Sequence, residues 1–196
     1  EGQIVQVEYL NESVYTNVSI SKSGYTQVVP GQEIRYTFKD IGNNSTVPLD
    51  SFYWRDTLPT DAVRLDKIIT GTYSARLNYK VVFQTNLNDT QRVLADNLNT
   101  QKNYTLDASP AALGLASNEY VTQVTFLFGR VPGGFKQVET PYIYCDVLSS
   151  LSHEYRFANK CDVGGMWQNQ WVQATDRWVT IIYRGGPVPT LPRTGY

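Results

Sequence analysis

Three polar residues stand at positions where the alternation of their neighbours predicts buried side chains. Lys22, Asp56 and Asn159 each extend a run in which every second residue is apolar, so all three should point into the core. A buried amine, carboxyl group and carboxamide without partners would cost several kcal/mol, so we expect the three groups to meet and to exchange protons there. The inward positions before them are Val18 and Ile20 for the lysine, Phe52 and Trp54 for the aspartate, and Tyr155 and Phe157 for the asparagine.

The elements that would hold these residues are short strands with one buried face. Period-two alternation recurs along the chain, for example over residues 34–38 and 124–128, and Gly, Pro and Asn turn signals separate the runs. Fourteen Tyr and a single Met also favour strands over helices. The sequence therefore predicts an all-β fold, an antiparallel sandwich of two sheets. One short helix is expected near residues 110–115, and an irregular excursion that enlarges the middle over residues 89–118.

Length and charge limit the classes of function. A chain of 196 residues can bury a sizeable core without a metal ion, and we assign residues 1–184 to one domain and residues 185–196 to a linker and tail. A net charge of −1 and the lack of a visible run of basic residues argue against nucleic acid as a partner. No apolar run reaches the length of a membrane-spanning helix.

The motifs of common enzymes are absent from the sequence. There is no phosphate-binding glycine loop or nucleophile elbow, and no pair of carboxylates is placed for glycoside hydrolysis. A single histidine, His153, and two cysteines do not make a zinc site. We therefore predict no enzymatic activity, metal or cofactor. Weaker alternatives are a calcium site at residues 86–89 and an exposed sugar-binding strip near the C-terminus, formed by Trp167, Trp171 and Trp178, which are otherwise expected in the core.

The last residues of the chain carry a short motif of the form Leu-Pro-any-Thr-Gly. It consists of Leu191, Pro192, Arg193, Thr194 and Gly195. This is similar to the sorting signal that sortase transpeptidases cleave between Thr and Gly, and the extended stretch before it would give a soluble enzyme access. The resemblance implies sortase as a partner, a covalent bond from Thr194 to peptidoglycan, and an extracellular, cell-wall-anchored location. A hydrophobic anchor and a basic tail are then expected beyond Tyr196. The other interpretation is a loose Pro/Gly tail.

Cys145 and Cys161 are the two cysteines of the chain. In an exported protein such a pair suggests one disulfide, here between two late strands, and in a cytosolic protein it suggests two buried thiols. Because the tail indicates export, we favour the disulfide.

A longer resemblance covers the first third of the domain and its end. Residues 29–59 contain Pro-Gly, a strand around Tyr-Thr, a glycine turn and then Asp-Thr-Leu-Pro. This pattern resembles the conserved-repeat, immunoglobulin-like (Cna-like) domains of Gram-positive surface proteins. Lys22 and the segment 157–159 also lie where that family has a lysine and a strand containing Asn. The resemblance implies an immunoglobulin-like sandwich that serves as a stalk or spacer module or, in some relatives, as an adhesin. Residues 73–151 depart from the pattern, being longer than the usual repeat.

Several surface sandwiches of this kind contain a spontaneous Lys–Asn isopeptide bond, promoted by a buried Asp or Glu. The resemblance implies these roles for Lys22, Asn159 and Asp56. The amine must be neutral to attack, a state that an apolar environment favours, and the carboxyl group must be protonated to polarise the amide. Such a bond would join the first and last strands.

Other assignments remain open at this point. Each strand could end before its polar residue, which would leave all three side chains in solvent at the sheet rims. The amide could instead come from Asn17 or Asn169, and the carboxylate from Glu33 or Asp162. We expect a structural, wall-proximal stalk domain; the alternative is an adhesin module that binds a host glycan or a matrix protein.

Overall fold

A computed structural model describes residue 2 and residues 13–185, and within this part the chain forms twelve strands and one short helix. No helix in it has the length and apolar character needed to cross a membrane. The strands are β1 (Val18–Ser23), β2 (Gln27–Val28), β3 (Glu33–Asn43), β4 (Leu49–Thr57), β5 (Val63–Ile69), β6 (Asn78–Thr85), β7 (Asn88–Asn99), β8 (Thr105–Asp107), β9 (Val121–Val131), β10 (Tyr142–Val147), β11 (Arg156–Trp167) and β12 (Gln170–Ile182), and the helix is α1 (Pro110–Leu113).

The strands form two sheets around a shared core. One sheet has five strands in the order β1-β3-β10-β5-β8, and the other has seven in the order β2-β12-β11-β4-β9-β6-β7. Neighbouring strands pair antiparallel, except that β2 runs parallel to β12. The predicted all-β fold, a sandwich of two mainly antiparallel sheets, is confirmed.

Large aromatic side chains fill the space between the sheets. Phe38 of the five-stranded sheet lies 4.8 Å from Trp54 of the seven-stranded sheet, measured between ring centroids, and Trp54 stacks on Phe126 at 4.1 Å. All three are fully buried. Burial of a large apolar side chain contributes roughly 1.5–3 kcal/mol. The same rings give the interior a low dielectric, which matters for any polar group placed among them.

The first two strands belong to different sheets. After β1 the chain crosses the edge of the sandwich, and β2 pairs with the last strand, β12. Gly24 lies at this crossing, where a Cβ atom would stand 3.1 Å from the Tyr36 ring and 3.3 Å from the Trp178 ring. The absence of a side chain therefore lets the end of β1 approach both sheets closely.

The middle of the chain is more regular than the sequence predicts. The sequence predicts an irregular excursion over residues 89–118, and this is wrong for residues 89–99, which lie in the twelve-residue strand β7. Residues 100–118 contain only the three-residue β8 and the short helix α1 among turns and loops. As an edge strand of its sheet, β7 is largely exposed, so most of its residues are polar and they show no apolar alternation. The predicted short helix is confirmed as α1, with Ser109 as its N-cap and Gly114 in the left-handed conformation at its C-cap.

The two cysteines are free thiols in the structure, which corrects the predicted disulfide. Cys145 lies on β10 and Cys161 on β11, so they face the core from different sheets. Packed sheets are about 10 Å apart, whereas a disulfide needs its Cα atoms within about 7 Å. Burial raises the pKa of Cys145 well above its usual value and that of Cys161 to about 12, so both thiols stay protonated and unreactive.

Candidate functional site

Lys22 is buried between the two sheets. Residues along β1 alternate between buried and partly exposed positions, and the lysine takes a buried one, with 3% of its surface exposed. Its Nζ lies 2.8 Å from Oδ1 of Asp56. The ammonium group also lies over two rings of β3, 4.4 Å from the Tyr36 centroid and 4.1 Å from the Phe38 centroid. These rings exclude water and stabilise the cation through their faces.

Asp56 and Asn159 lie in the opposite sheet, and Asp56 contacts the lysine directly. Asp56, on β4, pairs across the strands with Cys161 on β11, and Asn159 stands two residues before that cysteine on the same face. The carboxamide Nδ2 of Asn159 donates a hydrogen bond to Oδ2 of Asp56 at 3.3 Å. Both residues are completely buried. The structure thus brings together the three side chains that alternation places inward, with Asp56 in contact with the other two.

Burial of the Asp56 carboxyl group controls the electrostatics of this cluster. Desolvation raises the pKa of Asp56 above its ordinary value, and the nearby Lys22 opposes the rise. A dry ion pair can relax by moving a proton from Nζ to the carboxylate, because two neutral groups need no solvation. The site can therefore present a neutral amine, a carboxylic acid and a carboxamide side by side.

Asp176 holds β1 against this part of the far sheet. Its Oδ2 accepts a hydrogen bond from the backbone N–H of Lys22 at 2.7 Å. Asp176 lies on β12 opposite Cys161, so this bond fixes β1 over the place where Asp56 and Asn159 stand. The sequence pattern does not reveal Asp176, because β12 carries Trp171 and Val179 on its outer side, which hides the alternation.

The other candidates for these roles lie away from the cluster. Asn169 is exposed in the turn between β11 and β12, and Glu33 is exposed at the start of β3. Asn17 precedes β1, where its backbone N–H donates to Ser45. Asp162 points to the outer face of the sandwich. None of the four touches the buried carboxylate in the described part of the chain.

A second group of polar and aromatic residues covers the outer face of β4, β11 and β12. Arg55 donates to both carboxylate oxygens of Asp162, at 2.9 and 2.6 Å, and the Tyr53 hydroxyl donates to it at 2.7 Å. Trp171, 51% exposed, meets the Tyr53 ring edge-on with centroids 5.9 Å apart. Gly164 makes room for this ring, since a Cβ atom there would stand 2.9 Å from it.

A strip of positive charge runs beside this group. Lys160 and Arg177 stand directly opposite each other on β11 and β12, and Arg156 lies further along the same face of β11. All three are exposed, and none forms an ion pair within the described residues. Like charges at directly opposite positions destabilise a sheet pair. The sequence did not show this strip because its residues belong to two strands and are never adjacent.

Two of the three C-terminal tryptophans are part of the packing and not of this surface. Trp167 and Trp178 pack against the core, whereas Trp171 is on the outer face. A depression of about 610 Å³, lined by Arg55, Asp162 and the Lys160–Arg177 pair, lies on the same outer face.

No protein-family model and no curated protein matches the sequence. Solved structures resemble the fold at low identity. A cohesin module from a Clostridium perfringens family 33 glycoside hydrolase aligns with 87% of this chain and 98% of its own, at 8% identity and a TM-score of 0.44. The collagen-binding domain of a Staphylococcus aureus adhesin aligns over 87% and 99%, at 10% identity and a TM-score of 0.35.

A putative membrane-anchored protein from Corynebacterium diphtheriae aligns with 96% of this chain at 13% identity and a TM-score of 0.43. This chain spans 40% of that protein's length. At this level of similarity the three structures say nothing about the ligands or partners of this chain.

Within the described residues no group of His, Cys, Asp and Glu side chains could hold a metal ion. At residues 86–89 the side chain of Asn86 bonds the backbone of Asn118 and Tyr120, and that of Asn88 bonds Thr90, so both amides support turns. The sorting-signal residues, 191–195, lie outside the described part of the chain, and attachment through Thr194 stays a prediction.

Proposed function

We propose that residues 1–184 form a wall-proximal stalk domain of a bacterial surface protein, locked by an isopeptide bond between Lys22 and Asn159. The observation that carries the proposal is the fully buried contact of Asp56 with both residues. Burying an ion pair seldom adds stability by itself, because desolvation offsets the Coulomb attraction. A covalent amide removes the charges and makes the module resist force and proteolysis, as a stalk requires. The sorting-signal motif in the tail, residues 185–196, supports anchoring to peptidoglycan outside the cell.

The chemistry follows from the contacts around Asp56. Lys22 Nζ transfers one proton to Oδ1 of Asp56 and becomes a neutral amine. Its lone pair then attacks Cγ of Asn159, while the Asp56 acid polarises the carboxamide. As the Cγ–Nδ2 bond breaks, Asp56 gives a proton to the leaving nitrogen and takes one from Nζ. The products are the Lys–Asn amide, one ammonia and a neutral Asp56.

The intact mass of the purified protein tests the bond. The wild type should be lighter than its sequence by one ammonia, and Lys22→Ala and Asp56→Ala should each have the full mass. Lys160→Ala, which removes an exposed lysine from the same sandwich, is the matched control and should keep the ammonia loss. A wild-type protein of unmodified mass rejects the crosslink.

A separate assay addresses the anchoring. Incubation with a class A sortase and an oligoglycine nucleophile should give a product whose protein part ends at Thr194. Replacement of Thr194 by alanine should abolish that product. If several sortases leave the wild-type chain intact, the motif is a coincidence of composition.

A second candidate function is adhesion, and the outer positive strip favours it. Lys160, Arg177 and Arg156 are exposed on the same outer face as the half-exposed Trp171, further along the two strands. The one acid among them, Asp162, is already paired with Arg55. An acidic polysaccharide suits such a surface, because its charges would relieve the repulsion and its rings could lie on the tryptophan. This would make the domain an adhesin for a host glycan.

Binding measurements separate the two functions. We expect the adhesin to bind sulfated or carboxylated polysaccharides saturably, more weakly at high salt, and to lose binding in the double variant Lys160→Ser, Arg177→Ser. Lys80→Ser, Lys102→Ser makes the same charge change elsewhere and should bind as the wild type does. Absence of binding to every polyanion leaves the stalk as the sole function.

A further inference from the structure

Two buried polar atoms near the cluster have no hydrogen-bond partner in the described structure. They are the hydroxyl oxygen of Tyr36 and the carboxamide oxygen Oδ1 of Asn159. Both residues are completely buried. Buried polar groups nearly always have a hydrogen-bond partner, so two unpartnered polar atoms at one buried site indicate a role other than stability.

The Tyr36 ring lies against the reacting amine. Lys22 Nζ lies 4.4 Å from the centre of its ring. Burial raises the pKa of Tyr36 well above its usual value, and the polar side chains of Asn159 and Thr180 oppose that rise. Thr180 already donates its own proton to the Tyr25 carbonyl oxygen at 2.7 Å. The tyrosine therefore keeps its proton and can direct it towards the carboxamide.

The carboxamide can use this proton once it turns. Rotation about its Cβ–Cγ bond exchanges the positions of Oδ1 and Nδ2. Oδ1 then replaces Nδ2 beside Asp56 Oδ2, where a protonated carboxyl group donates to it. In this orientation the orphaned oxygen has a donor at Asp56 and a second one near it at Tyr36.

We propose that the Tyr36 hydroxyl is a second oxyanion donor, which stabilises the negative charge that forms on Asn159 Oδ1 when Lys22 attacks. This role rests on the crosslinking reaction proposed above. The charge develops in a dry site, where a preoriented donor lowers the barrier far more than it would in water. No covalent bond to tyrosine is made, and the tyrosine keeps its proton when the intermediate collapses with release of ammonia.

Refolding kinetics test this role. Full-length protein recovered unfolded from inclusion bodies starts without the bond, and dilution from denaturant starts the reaction. Samples quenched in acid give the crosslinked fraction from intact mass. Tyr36→Phe should slow bond formation by about 10²-fold, the usual effect of losing one oxyanion donor. Circular dichroism, which reports folding alone, should show the same folding rate as for the wild type.

Tyr79→Phe is the matched control, because Tyr79 also has a buried hydroxyl without a partner but lies on β6. Its crosslinking rate should equal that of the wild type. If the wild type crosslinks and Tyr36→Phe does so equally fast, the role of Tyr36 is rejected while the proposed crosslink stands. If the wild type never loses ammonia, the proposed crosslink itself fails.

A second substitution covers the case in which Tyr36→Phe does not fold. A ring-fluorinated tyrosine at position 36 keeps the packing and makes the hydroxyl a stronger donor. Bond formation should then be faster than in the wild type. An unchanged or lower rate rejects the proposed role.

Discussion

At the residue scale, depth decides what an ion pair contributes. The side chains of Lys22 and Asp56 have no exposed surface, whereas those of Arg130 and Asp50, which form a similar contact, are 65% and 58% exposed. Removing one partner from the buried pair leaves a charge in an apolar interior. Removing one partner from the exposed pair lets water take its place. The two aspartates therefore make a matched comparison.

We expect Asp56→Ala to lower the free energy of unfolding by about 3–5 kcal/mol, because Lys22 then remains buried without a counter-charge. The measurement is urea unfolding in an Asn159→Ala background, which cannot crosslink. In the same background Asp50→Ala should cost less than about 1 kcal/mol. Equal losses for the two variants would contradict a dry, tightly coupled pair between the sheets.

The raised pKa of Asp56 gives stability a defined pH dependence. Because burial raises this pKa above its unfolded value of 3.8, the folded state holds the proton more tightly. The stability that this protonation contributes is fully present below the unfolded-state pKa, and it is lost as the pH rises through the folded-state pKa of Asp56. We therefore expect the unfolding free energy of Asn159→Ala to fall as the pH rises. The double variant Asn159→Ala, Asp56→Asn, which lacks the titrating carboxyl group, should show a smaller fall. Urea unfolding across the mildly acidic range measures the difference, and an opposite slope would contradict it.

At the scale of elements, the position of β1 depends on a bond between the two sheets. The carboxylate of Asp176 accepts from the backbone of Lys22, and charge-assisted bonds of this kind contribute about 1.5–3 kcal/mol. Asp176→Ala should lose that amount in the uncrosslinked background, whereas Asp176→Asn, which keeps an oxygen acceptor, should lose less. Denaturant unfolding of the two variants measures this. If they are equally destabilised, Asp176 acts through its charge alone.

The strands that the sequence predicted best are those with one buried face. In β3 and β9, alternating aromatic residues face the core, so periodicity alone finds them. The sequence did not predict the edge strand β7, because neither of its faces is well buried and its residues therefore show no apolar alternation. Sequence periodicity reports burial, and it finds strands only where a strand has a face to bury.

For the candidate site too, the sequence pattern indicates which residues are buried but not which of them touch. The alternation of apolar and polar residues along three strands was enough to select Lys22, Asp56 and Asn159, because each follows apolar residues on the inward side. This alternation does not indicate which inward residues of different strands lie opposite each other. The contacts of Tyr36 and Asp176 depend on how β1 crosses the sandwich edge, and the free cysteines depend on the spacing between sheets.

At the scale of the whole molecule, the proposed bond does not join the first and last strands as the sequence suggested. Asn159 lies on β11, and β12 follows it. Force applied at the C-terminal end would therefore reach β12 first and could peel it from β11. The load would stop at Asn159 and pass to Lys22, so the rest of the sandwich would be shielded.

Pulling on the two ends of the folded chain tests this path. With the bond, residues 23–158 carry no load, and only the segments outside Lys22 and Asn159 extend. Between residues 13 and 185 the extended length should then be roughly 120 Å, against roughly 580 Å without the bond, at about 3.4 Å per residue. Single-molecule force spectroscopy of the wild type and of Asn159→Ala measures both lengths. The same long extension in both proteins would show that no covalent bond closes the sandwich.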